Sequence, residues 1–469
     1  MMTTTRRSFT VDTLPGAMSD GAGAQQGMFS RFRSQIIWVF LLLITLVTPA
    51  SAEERFPPPE FRISYSLPTQ QVIKARGELW AAADVLVLAA ALVVAAYFVH
   101  RKRSRVGVFV LTAFSIAYFG FYREGCVCAV GSIQNVTASL VSGGGLAWWI
   151  AAFFALPLIT ALFAGRLFCA GVCPLGAIQD VMLWRPIQLP RWLESSLGLF
   201  PHLYLGVAVL LAATGTEFAI CRWDPFVGFF RMSGTLSMLL IGAAFLAGSM
   251  FVGRIYCRFI CPYSVLLRAF SRFAKWKVHV SPAECTDCRL CEKSCSFGAI
   301  KQPARDSDRP AVSREAFRRR TRITLAVGVA LLILLPLLGY FTKGALARLD
   351  TRVDLALRIQ AEDSGRIQGT SEESSAWRKT GETTDVLYAR AAAIEYQLGI
   401  GGALLGTWMA LAITVRLMRQ SLPAPVKGYD ADTAACLGCA RCFDYCPVKR
   451  GSNERVLVTT SSASARGSA

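Results

Sequence analysis

Histidine is almost absent: His100, His202 and His279 are the only three in the chain. A transmembrane haem held by paired histidines would lack ligands, so no haem is expected, and His202 and His279 read as interface or solvated residues. Charge is also scarce. Asp, Glu, Lys and Arg make up 17% of residues while 53% are hydrophobic, against roughly a quarter charged in soluble domains. That shortage excludes an ordinary soluble enzyme and implies a membrane protein. Acidic residues are the scarcer sign, 31 against 50 Lys and Arg, for a net charge of +19. The basic excess is not laid out as a stripe interleaved with aromatics, which single-strand binding needs, so no nucleic-acid partner is expected. It reads instead as Lys/Arg loops holding the cytoplasmic ends of membrane spans.

The apolar content falls into runs of spanning length at 81–99, 107–122, 146–164, 202–220, 236–253, 323–341 and 397–415. Ahead of them, residues 28–54 carry Arg31 and Arg33, an apolar stretch from Ile36 to Val47, and Ala50-Ser51-Ala52. That is a signal-peptide pattern, or else an uncleaved first span. If each run crosses once, the basic clusters Arg101–Arg105, Arg318–Arg322 and Arg416/Arg419 share one face, and positive charge marks it as cytoplasmic. The expected organisation follows. Residues 1–52 are leader and signal peptide or first span, and 53–80 a short periplasmic segment. Residues 81–262 are membrane helices, 263–322 a cytoplasmic segment, 323–341 a helix, 342–396 a periplasmic loop and 397–418 a helix. Residues 419–452 are cytoplasmic and 453–469 a disordered tail. The polar stretch 360–385 reads as a mobile outside loop, and Ser142–Gly145 as a turn.

Cysteine, unlike histidine, is plentiful. Fifteen are present, grouped at metal-ligand spacing rather than spread as a secreted disulfide framework. Cys285-x2-Cys288-x2-Cys291-x3-Cys295 and Cys436-x2-Cys439-x2-Cys442-x3-Cys446-Pro447 repeat the run of bacterial two-cluster ferredoxins. There three cysteines wrap one [4Fe–4S] cluster and the fourth ligates the other. Cys285, Cys288, Cys291 and Cys446 would hold one cluster, and Cys436, Cys439, Cys442 and Cys295 the second. A zinc site needs four ligands per ion, and the doubled four-cysteine run favours iron–sulfur over it. The fold class expected is an all-α polytopic membrane protein of seven or eight spans. It carries a small α+β two-cluster ferredoxin-like cytoplasmic unit split between 263–322 and 419–452.

A second repeated element is Gly165-Arg166-Leu167-Phe168-Cys169-Ala170-Gly171-Val172-Cys173-Pro174 and Gly253-Arg254-Ile255-Tyr256-Cys257-Arg258-Phe259-Ile260-Cys261-Pro262. Each reads as closing a span at its cytoplasmic end. If helical, each pair shows two sulfurs on one face. Four such thiols can ligate a further iron–sulfur cluster or form a reducible thiol relay, and the spacing does not choose. A weaker relative runs from Cys126-Val-Cys128 through Gly131, Ile133 and Gln134, matching Cys173, Gly176, Ile178 and Gln179. By the charge-based topology Cys126, Cys128 and Cys221 lie at the outer face with Glu124 and Asp224 close in sequence. They form either a redox or metal site, or a disulfide of Cys126 or Cys128 with Cys221.

The order GRLFCAGVCPLGAIQD, then CRWDPF, then GRIYCRFICPYS and a ferredoxin-type region resembles the NosR/NirI and NapH-type membrane polyferredoxins over about residues 80–450. The resemblance implies electron transfer between the quinone pool, or a cytoplasmic donor, and a periplasmic reductase or its maturation system, in the inner membrane. Residues 53–80 are too few for the periplasmic flavin domain of NosR-type proteins, so no flavin is expected. The RdxA/FixG-like assembly proteins share the combination of spans, a cysteine–proline motif and two ferredoxin motifs, which makes metal or thiol reduction the alternative. They are expected to end in a folded β-domain outside, and no such pattern follows the second ferredoxin motif. A third alternative, an iron–sulfur regulatory sensor, would need an output domain, and none is visible. On either main reading an electron carrier is expected rather than an enzyme with its own substrate, with a quinol-linked oxidoreductase component as the alternative.

Overall fold

The computed structural model describes residues 77–125, 128–184, 186–187, 189–278, 280, 285–300, 314–421, 429 and 431–447. All of them belong to one compact unit, Ile73–Ala469. The leader expected over 1–52, residues 53–76, the tail 453–469, Cys126 and His279 lie outside the described residues. Among the described residues the chain is helical and contains no sheet.

Five helices are long and apolar enough to cross a membrane: Glu78–Arg101, Arg105–Tyr122, Trp192–Ala213, Phe317–Phe341 and Thr384–Gln420. They are rich in Ala, Leu and Val, which face neighbouring helices and lipid alike. The other two apolar runs form shorter helices, Trp148–Ala164 of 17 residues and Leu236–Ser249 of 14. The expected count of seven or eight spans is thus five long helices plus two short ones. The run 202–220 is also not one helix. It stops at Ala213, turns through Gly215 at φ 64, and restarts as Ala219–Trp223.

Local chemistry places the ends. Ser104 caps Arg105–Ser115 by accepting from the Gly107 amide at 3.2 Å. Gly143, at φ 67, ends Ala129–Ser142 in the left-handed region that favours glycine. The chain leaves Trp148–Ala164 through Gly165, also at positive φ, and then makes a π-helical turn over Phe168–Val172. Cys173 is extended because the residue before a proline is held out of the helical region, and Pro174 opens the helix Pro174–Met182.

This first cysteine–proline element follows directly on the apolar helix Trp148–Ala164 and also packs against a second helix. Ser115 Oγ donates to the Gly171 carbonyl at 2.7 Å, and a Cβ at Gly171 would meet Thr112 Oγ1 at 3.0 Å and the Val108 carbonyl at 3.1 Å. Val108 lies in the first turn of Arg105–Tyr122, and Thr112 and Ser115 lie one and two turns further on. The element therefore packs along the first half of that helix. Irregular backbone beside a spanning helix is tolerable only when protein surrounds it, and Phe168 through Met182 are all buried.

The C-terminal half is a hairpin of Arg314–Phe341 and Thr384–Ser421. Gly402 and Gly406, four residues apart on one face, allow backbone contact. A Cβ at Gly402 would collide with the Gly339 carbonyl, and one at Gly406 with the Leu335 carbonyl. The connection, read from composition as a loop, is folded into the helices Thr351–Asp363 and Glu372–Lys379. They pack on the start of the long helix through Ala356, Ile359, Leu387 and Trp377. Glu362 accepts from the Ser371 amide and Ser374 Oγ and pairs with Arg358 and Arg378, which ties the two helices together.

Replacing Gly402 with Leu is expected to destabilise this hairpin by about 1–3 kcal/mol through forced overpacking. A lowered thermal unfolding midpoint in detergent, with Gly344→Ala unchanged because nothing lies within 4 Å of its would-be Cβ, checks it.

Candidate metal centres

The two ferredoxin motifs are far apart in sequence and meet in space. Val280, Ile300, Tyr429 and Ala431 form a small buried cluster, and Cys291, Cys295, Cys436 and Cys442 pack against it. An antiparallel bridge joins Ile300 to Ala431, and the Asp432 amide donates to the Ala299 carbonyl at 2.8 Å. Tyr429 donates its hydroxyl to Asp287. Of the α+β unit expected from the sequence, the described residues contain this bridge and the short helices Leu290–Ser294 and Arg441–Asp444, which touch each other.

Both loops curl in the same way. Asp287 (φ 54) and Arg289 (φ 59) flank Cys288, and Gly438 (φ 67) and Ala440 (φ 60) flank Cys439. Left-handed residues either side of the middle cysteine let a short loop turn three sulfurs towards one centre. Their recurrence at matching positions implies a shared geometric demand rather than two accidents. Amide donors reach the sulfurs, Gly438 N to Cys436 Sγ and Ala299 N to Cys295 Sγ, each at 3.4 Å.

Burial pushes the Cys436 thiol up to about 12, and Cys442 rises further, with Cys439 and Cys436 beside it adding like charge. Cys291 and Cys295 rise as well, again chiefly through burial. Thiols crowded out of water in this way ionise only against bound positive charge, which cluster irons supply. Among the described residues no three His, Cys, Asp or Glu side chains converge as a single metal ion requires. The donor set, three thiols in each loop with a fourth from the other motif, matches what a [4Fe–4S] cluster requires.

The cysteine–proline elements form a second group. Cys169, Cys173, Cys257 and Cys261 are all buried, and they lie near enough for their thiolate charges to interact. They do not form two i,i+4 pairs on regular helices. Cys173 sits outside the π-helical turn, and the helix Ile255–Phe259 ends at Ile260 before Cys261. Proline after the second cysteine is the cause in both. Gln179 holds the two elements in register. Its Oε1 accepts from the Tyr256 amide at 3.0 Å and its Nε2 lies 3.5 Å from Cys257 Sγ.

Around these thiols the charge is strongly positive. Asp180, fully buried, faces three guanidiniums: Arg105, Arg254 at 3.5 Å and Arg441 at 3.6 Å. Arg254 also donates to the carbonyls of Cys169 and Ala170, and Arg166 Nη2 lies 3.9 Å from Cys169 Sγ. Arg258 pairs with Glu194. Six guanidiniums (Arg105, Arg166, Arg254, Arg258, Arg268, Arg441) thus meet three carboxylates (Asp180, Glu194, Asp444), an excess that costs several kcal/mol per uncompensated ion. Ionised cluster thiolates would offset it.

The same arginines join the membrane element to the ferredoxin unit. Arg105 Nη1 donates to the Cys439 carbonyl at 3.0 Å, and Arg166 Nη1 to the Ala434 carbonyl at 3.2 Å. The Gly438 backbone packs on Leu167 and Ala170, where a Cβ would come within 3.1 Å of Leu167. Sequence reasoning named the cysteines and missed Arg105, Gln179, Asp180, Arg254 and Arg441. Their signal was present in the doubled Gly-Arg that opens each element and in Gln179-Asp180 that closes the first.

Of the remaining predicted residues, Cys128 and Cys221 approach the same glycine, Gly131, and Cys128 forms no disulfide with any described cysteine. His100 hydrogen-bonds the Ala164 carbonyl at 3.0 Å, and His202 stacks near Trp408, both interface roles.

A family model described as a 4Fe-4S binding domain matches residues 146–196 and 235–281, which contain Cys169, Cys173, Cys257 and Cys261 and stop short of Cys285. The chain is 26% identical over 185 residues to YccM of Escherichia coli (strain K12), named for electron transport, covering 35% of this chain and 52% of that one. It is 31% identical over 153 residues to NirI of Paracoccus denitrificans, 30% of this chain and 22% of NirI. With the regulatory protein NosR of Pseudomonas aeruginosa it shares 27% identity over 218 residues, 41% of this chain and 29% of NosR. The match thus spans about half the length of YccM and less of NirI and NosR. No solved structure matches the chain.

Asp180→Asn leaves three guanidiniums facing a neutral amide and is expected to cost about 3–5 kcal/mol. Thermal unfolding in detergent should show this loss, and Arg441→Gln, at the more accessible partner, a smaller one.

Proposed function

Starting from a membrane protein that is an iron–sulfur electron-transfer relative of the NosR/NirI-type ferredoxins, we propose that it carries single electrons between the ferredoxin unit and the membrane interior. The donor is the quinone pool or a cytoplasmic reductant, and the acceptor a periplasmic reductase or its maturation system. The membrane is the bacterial inner membrane, with the ferredoxin unit on the cytoplasmic face. Cys285, Cys288, Cys291 and Cys446 hold one [4Fe–4S] cluster, and Cys436, Cys439, Cys442 and Cys295 the other. Cys169, Cys173, Cys257 and Cys261 hold a third.

The observation that carries this reading is the docking of Cys439 on the membrane element. Arg105 binds the Cys439 carbonyl with one nitrogen and Asp180 with another, so one side chain links the ferredoxin loop to the helix that follows Cys173. When bound, such clusters accept and release one electron with little rearrangement. The chain's own residues fix the spacing, exclude water and surround the thiolates with guanidiniums that favour the more negative, reduced state. A cluster at the cysteine–proline elements would divide the path across a hydrocarbon core of about 30 Å.

Anaerobic purification with iron and sulfide counts and paramagnetic resonance tests it. At least about twelve irons per chain are expected, where the ferredoxin pair alone would give about eight. Cys257→Ser should lower the count by about four with the ferredoxin signals intact; an unchanged count would remove the third cluster.

A further inference from the structure

The cysteine–proline site has a counterpart built from the other half of an internal repeat. Four times the chain writes an apolar helix, a cysteine segment and a following helix. The cysteine segments are centred on Cys128, Cys173, Cys221 and Cys257, and successive units run in opposite directions if each apolar helix crosses. The second and fourth units make the site already described. The first and third meet each other through matching cysteine, glycine and glutamine contacts, with Glu124 at the position of Cys169.

Cys128 is the N-cap of Ala129–Ser142, as Cys173 is of Pro174–Met182. Three residues on, the Gly131 amide hydrogen-bonds Cys128 Sγ at 3.4 Å, and the Gly176 amide hydrogen-bonds Cys173. A Cβ on Gly131 would lie 3.4 Å from Cys221 Sγ, and one on Gly176 3.5 Å from Cys257 Sγ. Six residues on, Gln134 Oε1 accepts from the amides of Ile220 and Cys221 at 3.1 and 3.3 Å, while Gln179 Oε1 accepts from that of Tyr256. Cys221 is thus the equivalent of Cys257. Asp224-Pro225 then stands where Cys261-Pro262 stands, one residue closer, and Asp224 is buried at 2% exposure.

One difference points to a missing occupant. Gln179 Nε2 has the Leu175 carbonyl and Cys257 Sγ as acceptors. Gln134 is equally buried, yet its Nε2 has no hydrogen-bond partner among the described residues. An unmet buried donor costs about 1–3 kcal/mol, and a sulfur-rich acceptor beside Cys221 would meet it. The two halves also share one cavity, lined by Cys128 and Asp224 from one side and Cys173 and Pro174 from the other.

We propose that Cys128, Cys221 and Asp224 ligate a further iron–sulfur cluster, the repeat-related partner of the one at Cys169, Cys173, Cys257 and Cys261, with a carboxylate in place of the fourth motif's second cysteine. Two stacked centres around one cavity would extend the path towards the far face. The proposal goes beyond the function given above, which needs only the ferredoxin unit and the first membrane site.

The test uses the full chain, purified anaerobically from cells supplied with iron. Cys221→Ser is expected to lose about four irons per chain while the ferredoxin signals and the signal lost in Cys257→Ser persist. Asp224→Cys is expected to keep the iron and change one paramagnetic signal, because a thiolate replaces an oxygen ligand. Iron unchanged in Cys221→Ser would overturn the proposal, as would loss of one non-iron metal in its place. If Cys221→Ser does not fold, Asp224→Cys decides: no spectral change overturns the carboxylate-ligated cluster. Loss of the far-side centre alone leaves the Cys257-dependent signal standing, so the two readings fail separately.

Discussion

One buried carboxylate, Asp180, holds three separate parts of this protein together. It receives Arg105 from a spanning helix, Arg254 from the second Gly-Arg element and Arg441 from the second ferredoxin motif. None of these guanidiniums could lie so deep alone, since a charge taken out of water costs several kcal/mol unless it is paired and hydrogen-bonded. Arg105 and Arg254 meet the requirement by also binding backbone carbonyls at Cys439, Cys169 and Ala170. The ferredoxin loop is therefore held to the membrane element by charge and backbone hydrogen bonds rather than by a broad apolar surface. Such contacts fix distance and orientation, and an electron path depends on both.

The guanidinium excess has a second consequence. A region with more buried positive charge than carboxylate is stable only where anions complete it. The thiols of Cys169, Cys173, Cys257 and Cys261 are the acids at hand, and they would ionise on binding iron. On that proposal stability and cofactor loading are linked: the arginines would favour ionised sulfurs, and the ionised sulfurs would offset the arginines.

The glutamine–amide clamp is the quieter organising device. Gln134 and Gln179 each reach across to the amide just before or at a cysteine of a later unit. Glycine three positions earlier lets the partner sulfur approach to within van der Waals distance. These are side chains that sequence reading passes over as polar filler in an apolar helix. Their meaning appears only when the units they join are seen side by side.

Much of the architecture was legible in the sequence because it rests on local physics. Apolar runs of spanning length declare helices, Cys-x2-Cys-x2-Cys declares a loop curled around a cluster, and Cys-Pro declares an extended residue before a helix. Spacing also limits how three thiolates can reach one centre, which is why the sequence alone proposes a ligand set for the ferredoxin pair. Tertiary structure decided the rest. Whether an apolar run is one helix or two depends on a single turn at Gly215. Which helix a cysteine element packs against depends on contacts such as Ser115 meeting Gly171. The equivalence of Asp224 with a cysteine depends on contacts 86 and 87 residues apart in the chain. Pairings of that range are set by packing, not by neighbouring residues, and no local pattern encodes them.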